Sequence, residues 1–454
     1  MKYPPRPYQT KSVEDMVNFV KYSMKKYGVF VLPTGAGKSI CIAMLAKVLG
    51  DKILILQPNK ELVMQNYEKY TSYGLEASIY SASLRSAEIG DVTFATIGSI
   101  VGSPELFKYY GFEYMIIDEC HWATKKDAQT HRFIEYIGVK KVIGLTATPI
   151  NLISTMNGTQ LKMINRMRAN FFQDIFHVTQ IGELAKDNFW SKLDYRPIDM
   201  NTKMLNLNSS GTDYTERSMI EYYEQNDLHN YIIRSVERLR MRGRKHILVF
   251  VPTVEHARRL ARDVKGSEYV HGGTSIKDRN RIVNGFRDGL FDVVFNVNVL
   301  GTGFDFPAMD AGIHARPTNS VNIWYQHIGR FVRRCEGKED ALIVDISGNY
   351  QKFGPIENFT FENDPYYGWV MYSGDKVLTG VDLKSKMFFY RKKKEDKVEY
   401  AGYKMPFGKH VGLELDKVPM EYLHFVVNTF SGRTPTVLEL KRKCKSALAH
   451  RQTR

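Results

Sequence analysis

Val29-Phe30-Val31-Leu32-Pro33-Thr34-Gly35-Ala36-Gly37-Lys38-Ser39-Ile40 is the stretch from which the rest of the chain is read. A short apolar run breaks into a glycine-rich turn, and Ile40, Cys41, Met44, Leu45, Val48 and Leu49 then recur at helical spacing. Buried strand, turn and helix form the context in which such a turn binds phosphate. Glycines let successive backbone N–H groups converge on an anion. The Lys38 ammonium can reach the outer oxygens, and the Ser39 hydroxyl can ligate Mg2+. Pro33, Thr34, Gly35, Ala36, Gly37, Lys38 and Ser39 are therefore the candidate phosphate cradle.

The same texture extends outward. Residues 53–56, 114–117 and 142–145 are continuous apolar runs bounded by polar or turn residues, as expected of buried parallel strands. Residues 247–251, 293–295 and 342–344 repeat the theme, separated by helical patterns such as 254–264. The expected fold is α/β, with two tandem parallel-sheet domains at 1–185 and 241–350. A connector over 186–240, helical from 214 onward, joins them. A basic accessory region occupies 351–454. It holds an aromatic hairpin around Trp369, a possible second hairpin over 387–400 and a helical end from 419 to 449.

With 454 residues, 43% hydrophobic and 12% aromatic, the chain can build several cores, which excludes a disordered protein. No apolar run approaches the roughly 18 residues a membrane span needs, and the start lacks a signal-peptide pattern. Cytoplasm is the expected location. Cys41, Cys120, Cys335 and Cys444 are far apart, which argues against a cysteine metal site. The formal charge of +15 favours polyanionic partners. Residues 375–454 hold 18 Lys or Arg against 9 Asp or Glu, so most of that excess is C-terminal.

Ile116-Ile117-Asp118-Glu119-Cys120-His121 puts two acids at a strand end, where α/β sheets bind ligands. Asp118 can hold a metal while Glu119 polarises water, and adjacent carboxylates there are costly without a cation. Together with 33–39, this box, Leu145-Thr146-Ala147-Thr148-Pro149, Gly301-Thr302-Gly303-Phe304-Asp305 and Gln326-His327-Ile328-Gly329-Arg330-Phe331-Val332-Arg333 resemble, in that order, superfamily 2 helicases and translocases. Arg6-Pro7-Tyr8-Gln9 is similar to the family's adenine-reading segment, and Gln57-Pro58-Asn59-Lys60-Glu61-Leu62 to its first DNA-contact motif. Ser39 stands where the family often has Thr, and Val297 where many members carry Thr.

The resemblance implies two RecA-like domains with ATP and Mg2+ between them. Lys38, Asp118, Glu119, Arg330 and Arg333 would be catalytic, with Ser39 and Asp118 on the metal. Arg6, Tyr8, Gln9, the 33–39 loop, Gly303 and Asp305 would bind the nucleotide, and His121, Thr146, Thr148 and Gln326 would couple it to domain motion. Nucleic acid would contact Pro58, Lys60, Thr96, Gly98, Thr253, Gly273 and Thr274, with Trp369, Lys392, Lys393 and Lys394 as accessory contacts. Phosphate contacts of this kind position a strand without reading its sequence. The Asp-Glu-Cys-His box and the Gly272-Gly273-Thr274 and 348–356 segments resemble DNA-acting members, especially phage-type branch-migration and fork-remodelling helicases. Branched DNA, forked or four-way with single-stranded tracking, is the expected partner, with no membrane. An RNA helicase and an ATP-gated clamp are the alternatives. Met405-Pro406-Phe407-Gly408-Lys409-His410-Val411-Gly412 and Val418-Pro419-Met420-Glu421-Tyr422-Leu423 resemble a small module of phage and bacterial DNA-processing proteins.

Overall fold

The apolar runs at 29–32, 53–56, 114–117 and 142–145 all lie in strands of one sheet. The computed structural model describes residues 4–50, 52–123, 129–155, 158–167, 171–300, 306–364, 368–380, 402–429 and 435–452. Its strands begin with β1 (Tyr27–Val31), β2 (Ile53–Gln57), β3 (Ser78–Ser81), β4 (Ser86–Ala87), β5 (Val92–Thr96), β6 (Tyr114–Asp118) and β7 (Lys141–Thr146). A hairpin of β8 (Ile150–Thr155) and β9 (Gly158–Met163) follows, then β10 (Asp174–Val178). The sheet order is β10-β1-β7-β6-β2-β5-β3-β4, parallel except where β4 turns back on β3. Because β1, β7 and β6 are neighbours, the turn after β1, the acids after β6 and the threonines after β7 emerge together at one carboxyl edge.

The second sheet contains β11 (Lys192–Pro197), β12 (Ile247–Phe250), β13 (Ser267–His271), β14 (Val293–Val297), β15 (Ala311–His314) and β16 (Asp340–Asp345). Its order is β11-β16-β15-β12-β14-β13, wholly parallel. Two RecA-like α/β domains are thus present. The segment 186–240 is more than a connector. It supplies β11 to the second sheet, and Tyr222, Tyr223, Leu228, Ile232, Val236 and Leu239 from helices Glu216–Gln225 and Leu228–Met241 complete that domain's core. Lys192-Leu193-Asp194-Tyr195-Arg196 alternates polar and apolar because it is an edge strand, so it lacks the continuous run that marks a central one.

The accessory region divides near residue 390. A small antiparallel sheet of β17 (Phe359–Asp364), β18 (Gly368–Ser373) and β19 (Lys376–Val377) belongs with the two α/β domains. Gln180 Nε2 donates to Phe361 O at 2.6 Å, Tyr195 Oη to Glu357 Oε2 at 2.7 Å, and Trp324 Nε1 to Gly354 O at 3.0 Å. Residues 390–454 form a second unit with its own core of Met405, Leu415, Val418, Leu423, Val426 and Leu440. There Gly408 has φ +88°, and a Cβ on it would stand 2.6 Å from the Tyr422 hydroxyl, which accepts from Lys409 N at 3.2 Å. The 387–400 hairpin lies outside the described residues. No helix among the described residues is long and apolar enough to cross a membrane.

Candidate nucleotide site and nucleic-acid face

The 33–39 turn is built around two left-handed glycines, Gly35 at φ +77° and Gly37 at φ +81°. Gly37 caps the helix Lys38–Leu49, and a Cβ there would lie 2.5 Å from Gln9 Nε2 as well as strain the backbone. That amide donates to Ala36 O at 2.7 Å, and the Tyr8 hydroxyl donates to the same carbonyl at 3.0 Å. Gln9 Oε1 accepts from Arg6 N at 2.9 Å, and the Arg6 guanidinium lies 4.3 Å from the Phe189 ring centre. The expected adenine-reading segment therefore braces the phosphate loop from beside it. Burial raises the Tyr8 phenol above its ordinary value, so it stays a donor.

Lys38 pairs with Glu119, and the two side chains are only 16% and 20% exposed. The Ser39 hydroxyl donates to Asn66 Oδ1, and Asn66 Nδ2 donates to Asp118 Oδ2 at 3.1 Å. Glu119 adopts φ +49°, a conformation a non-glycine residue rarely takes, and its own N–H donates to Asp118 Oδ1 at 2.9 Å. Such strain is found where a side chain is held for function. Burial pushes the Asp118 carboxyl up to about 6, with Glu119 adding to the rise and Lys38 opposing it. Burial works on Glu119 in the same direction, but Lys38, His121 and Arg330 together hold it below the usual carboxylate range. Lys38 is buried too, yet Glu119 and Asp118 keep its ammonium above the ordinary lysine value. Glu119 is thus the ionised partner, held between cations from both domains.

Arg330 follows the helix Val321–Ile328 of the second domain and is 8% exposed. Its charge is felt by both Glu119 and Lys38. Arg333 lies beside Gly35, its Cγ 3.9 Å from where a Cβ there would be. A cavity of about 520 Å³ opens between the loop, Arg6 and Gln9 on one side and Val332 to Arg334 on the other. That volume is in the range of a nucleotide pocket. Thr34 N donates to the Tyr325 hydroxyl at 3.0 Å, and Trp190 Nε1 donates to Thr34 O at 3.1 Å. Lys338 spends all three ammonium hydrogens on carbonyls, Phe331 O at 2.8 Å, Arg333 O at 2.9 Å and Pro307 O at 3.0 Å. It is a positioning residue for the arginine segment.

No group of three or more His, Cys, Asp or Glu with metal-site geometry occurs among the described residues. Mg2+ bound with a nucleotide takes one or two protein ligands and completes its shell with phosphates and water. Ser39 and Asp118, joined through Asn66, fit that requirement.

His121 Nδ1 lies 3.0 Å from Thr146 Oγ1 and 3.5 Å from Glu119 Oε2, and burial lowers its basicity against the pull of Glu119. Thr148 N donates to Thr146 Oγ1 at 3.1 Å. Asn322 Nδ2, on the helix that leads to Arg330, donates at 2.9 Å to Ile150 O, just beyond Thr148. Gln326 lies half-buried on that helix. Gly303 and Asp305 lie outside the described residues, as do Lys392, Lys393 and Lys394.

Pro58 and Lys60 follow β2, and Thr96 and Gly98 end the adjacent β5, so these four share one edge. Gly273 and Thr274 occupy the same edge of the second sheet, after β13, and Thr274 Oγ1 accepts from His271 N at 3.0 Å. An ion pair of 3.4 Å between Glu61 and Arg279 brings the two edges together. Thr253 is buried, and its hydroxyl caps the helix Val254–Asp263 by accepting from His256 N at 3.2 Å. Trp369 packs half-buried against the main core.

Asn66, Phe189, Trp190, Tyr325 and Lys338 are absent from the sequence-derived site. Asn66 follows Asn59 by two helical turns, which could have flagged it. The others are brought in by long-range packing.

A phosphate loop with paired acids on one parallel sheet, faced by arginines from a second, defines a two-domain P-loop nucleotide-binding protein. Residues 2–151 match the family model "Type III restriction enzyme, res subunit", and residues 228–335 match "Helicase conserved C-terminal domain". The chain belongs to the superfamily 2 helicases. It is 22% identical over 364 residues to IRC3 of Saccharomyces cerevisiae, a protein assigned by name to the ATP-dependent helicases. The match covers 76% of this chain and 51% of IRC3, so the chain spans about half the length of that relative. A 51.5 kDa protein of a Lactococcus phage is 24% identical over 363 residues, covering 76% of this chain and 71% of the phage protein. The ATP-dependent type ISP restriction-modification enzyme LlaBIII, solved bound to DNA, shares the fold at a TM-score of 0.57 and 15% identity. That likeness covers 76% of this chain and 27% of LlaBIII.

Proposed function

We propose that the chain is an ATP-dependent DNA helicase or translocase that unwinds or branch-migrates forked or four-way DNA. The observation that carries the reading is one electrostatic cluster, Lys38, Glu119 and Arg330, drawn from both domains beside a nucleotide-sized cavity. Phosphoryl transfer needs charge neutralised at the γ-phosphate, and an arginine from the second domain supplies it only when the domains close. Ser39 and Asp118 would hold Mg2+, which when bound would supply positive charge against the phosphates. Glu119 orients water, and Arg330 and Arg333 make hydrolysis conditional on closure. Closure and release then move Pro58, Lys60, Thr96 and Gly98 relative to Gly273 and Thr274, stepping the protein along a strand. Gly303 and Asp305 are assigned to the nucleotide, and Lys392 to Lys394 to duplex phosphates, on motif and charge alone.

DNA is favoured over RNA by the resemblance of the Asp-Glu-Cys-His box and the 272–274 and 348–356 segments to DNA-acting members, and LlaBIII supports it as a DNA-bound relative in fold. Strand displacement on fork, flap, four-way and RNA duplex substrates, with ATP turnover measured alongside, tests the reading. Unwinding of RNA duplex in preference to every DNA substrate would replace DNA by RNA. ATP turnover without displacement of any strand would leave a clamp.

A further inference from the structure

The second domain has a cationic notch that shares no residue with the nucleotide cavity. It lies between helix Leu228–Met241 and strands β11 and β16, with a volume of about 270 Å³. Tyr231, Leu239, Leu342 and Val344 give it an apolar lining. Arg196, Arg238 and Arg242 stand around it, and no Asp or Glu lines it. Arg196 is paired with Asp194 at 2.8 Å. Arg238 and Arg242 are exposed and make no side-chain hydrogen bond or ion pair among the described residues. Met241, which also lines the notch, is 79% exposed.

The combination specifies its occupant. The volume lies just below the roughly 300–1,000 Å³ of small-molecule sites, which suits a single bulky apolar side chain. Unpaired guanidinium groups recognise carboxylates in a planar, two-hydrogen-bond geometry. A nucleic-acid backbone would satisfy the arginines but leave the apolar lining wet. An acidic peptide carrying one large apolar residue satisfies both, as an anchor in a pocket with a polar rim. We propose that this notch docks an acidic segment of a partner protein, one aromatic or branched side chain filling it while flanking carboxylates pair with Arg238 and Arg242. The site goes beyond the ATPase reading and does not depend on it.

The test uses the full chain and a fluorescent ten-residue peptide of Asp and Glu around one Phe, read by anisotropy. Binding by the wild type is expected, at least tenfold weaker when the peptide's Phe is replaced by Ala. The double variant Arg238→Glu, Arg242→Glu should bind at least tenfold more weakly, with its melting curve and ATP turnover unchanged. Equal affinity for the Ala peptide overturns the proposal, since charge alone would account for binding. So does undiminished binding by the double variant. A wild type that ignores the peptide, combined with a double variant that loses fork-DNA affinity, overturns it in favour of a nucleic-acid surface.

Discussion

Replacing Glu119 by Gln should strengthen ATP binding while nearly abolishing turnover. Lys38 is held by Glu119, so an incoming γ-phosphate must take the ammonium from a carboxylate that also repels it. The side chains are 16% and 20% exposed, and at an effective dielectric near 20 two unit charges about 4 Å apart attract by about 4 kcal/mol. The phosphate restores most of that attraction, and Asp118 remains near Lys38 in the variant. A net gain of about 1–2 kcal/mol is expected, or roughly 5- to 30-fold tighter binding. Loss of the carboxylate proposed to activate water should cost about 10²- to 10⁴-fold in turnover. A fluorescent ATP analogue titrated with Mg2+ reads the first effect, and phosphate release on DNA reads the second. Lys38→Ala is the control, expected to lose both. ATP binding by Glu119→Gln no tighter than wild type would refute the competition for Lys38. Turnover within about threefold of wild type, a change under roughly 1 kcal/mol, would remove Glu119 from its role.

Four further outcomes are expected. Asp118 has a folded pKa raised to about 6, so its native state holds a proton more tightly than the unfolded chain, and that stabilisation is lost as pH rises through 6. Above pH 6 the buried charge costs about 1–3 kcal/mol, and Asp118→Asn should melt a few degrees higher than wild type at pH 7.5 without nucleotide, a gain that vanishes near pH 4. Arg330→Ala and Arg333→Ala should each lower DNA-stimulated ATP turnover at least tenfold while leaving nucleotide-free DNA binding near wild type, and normal turnover in both would refute an arginine contribution across the cleft. Burial lowers the Lys338 ammonium to about 8, and a neutral amine has two hydrogens for three carbonyls. As pH rises through 8, wild-type kcat should fall more than the KM for ATP changes, whereas Lys338→Arg, which does not titrate there, should keep a flat profile. Removing residues 390–454, which carry 15 Lys or Arg against 7 Asp or Glu, should spare ATP turnover but weaken fork binding and reduce its salt slope by about 0.9 per lost phosphate contact. An unchanged slope would make this unit's charge a solvated surface.

What the chain discloses residue by residue is local. Val29 to Ser39 announces strand, tight turn and helix because apolar runs, left-handed glycines and helical periodicity are written in neighbouring residues. The order of Lys38, Asp118 with Glu119, Thr146 and Arg330 was legible for the same reason, and so was the existence of two parallel sheets. Tertiary structure decided the rest. β11 has an edge strand's alternation, so only its pairing with β16 assigns it to the second domain. From sequence Trp369 is an expected accessory nucleic-acid contact, and its place against the main core comes from packing. Asn66 between Ser39 and Asp118, Tyr325 against the phosphate loop and Lys338 beneath the arginine segment are ordinary side chains in sequence. Their roles depend on groups up to 291 residues apart meeting within 3 Å. Periodicity and turn chemistry act over a few residues, whereas such meetings are set by which strands become neighbours, and crossover connections decide that only once the whole sheet has formed.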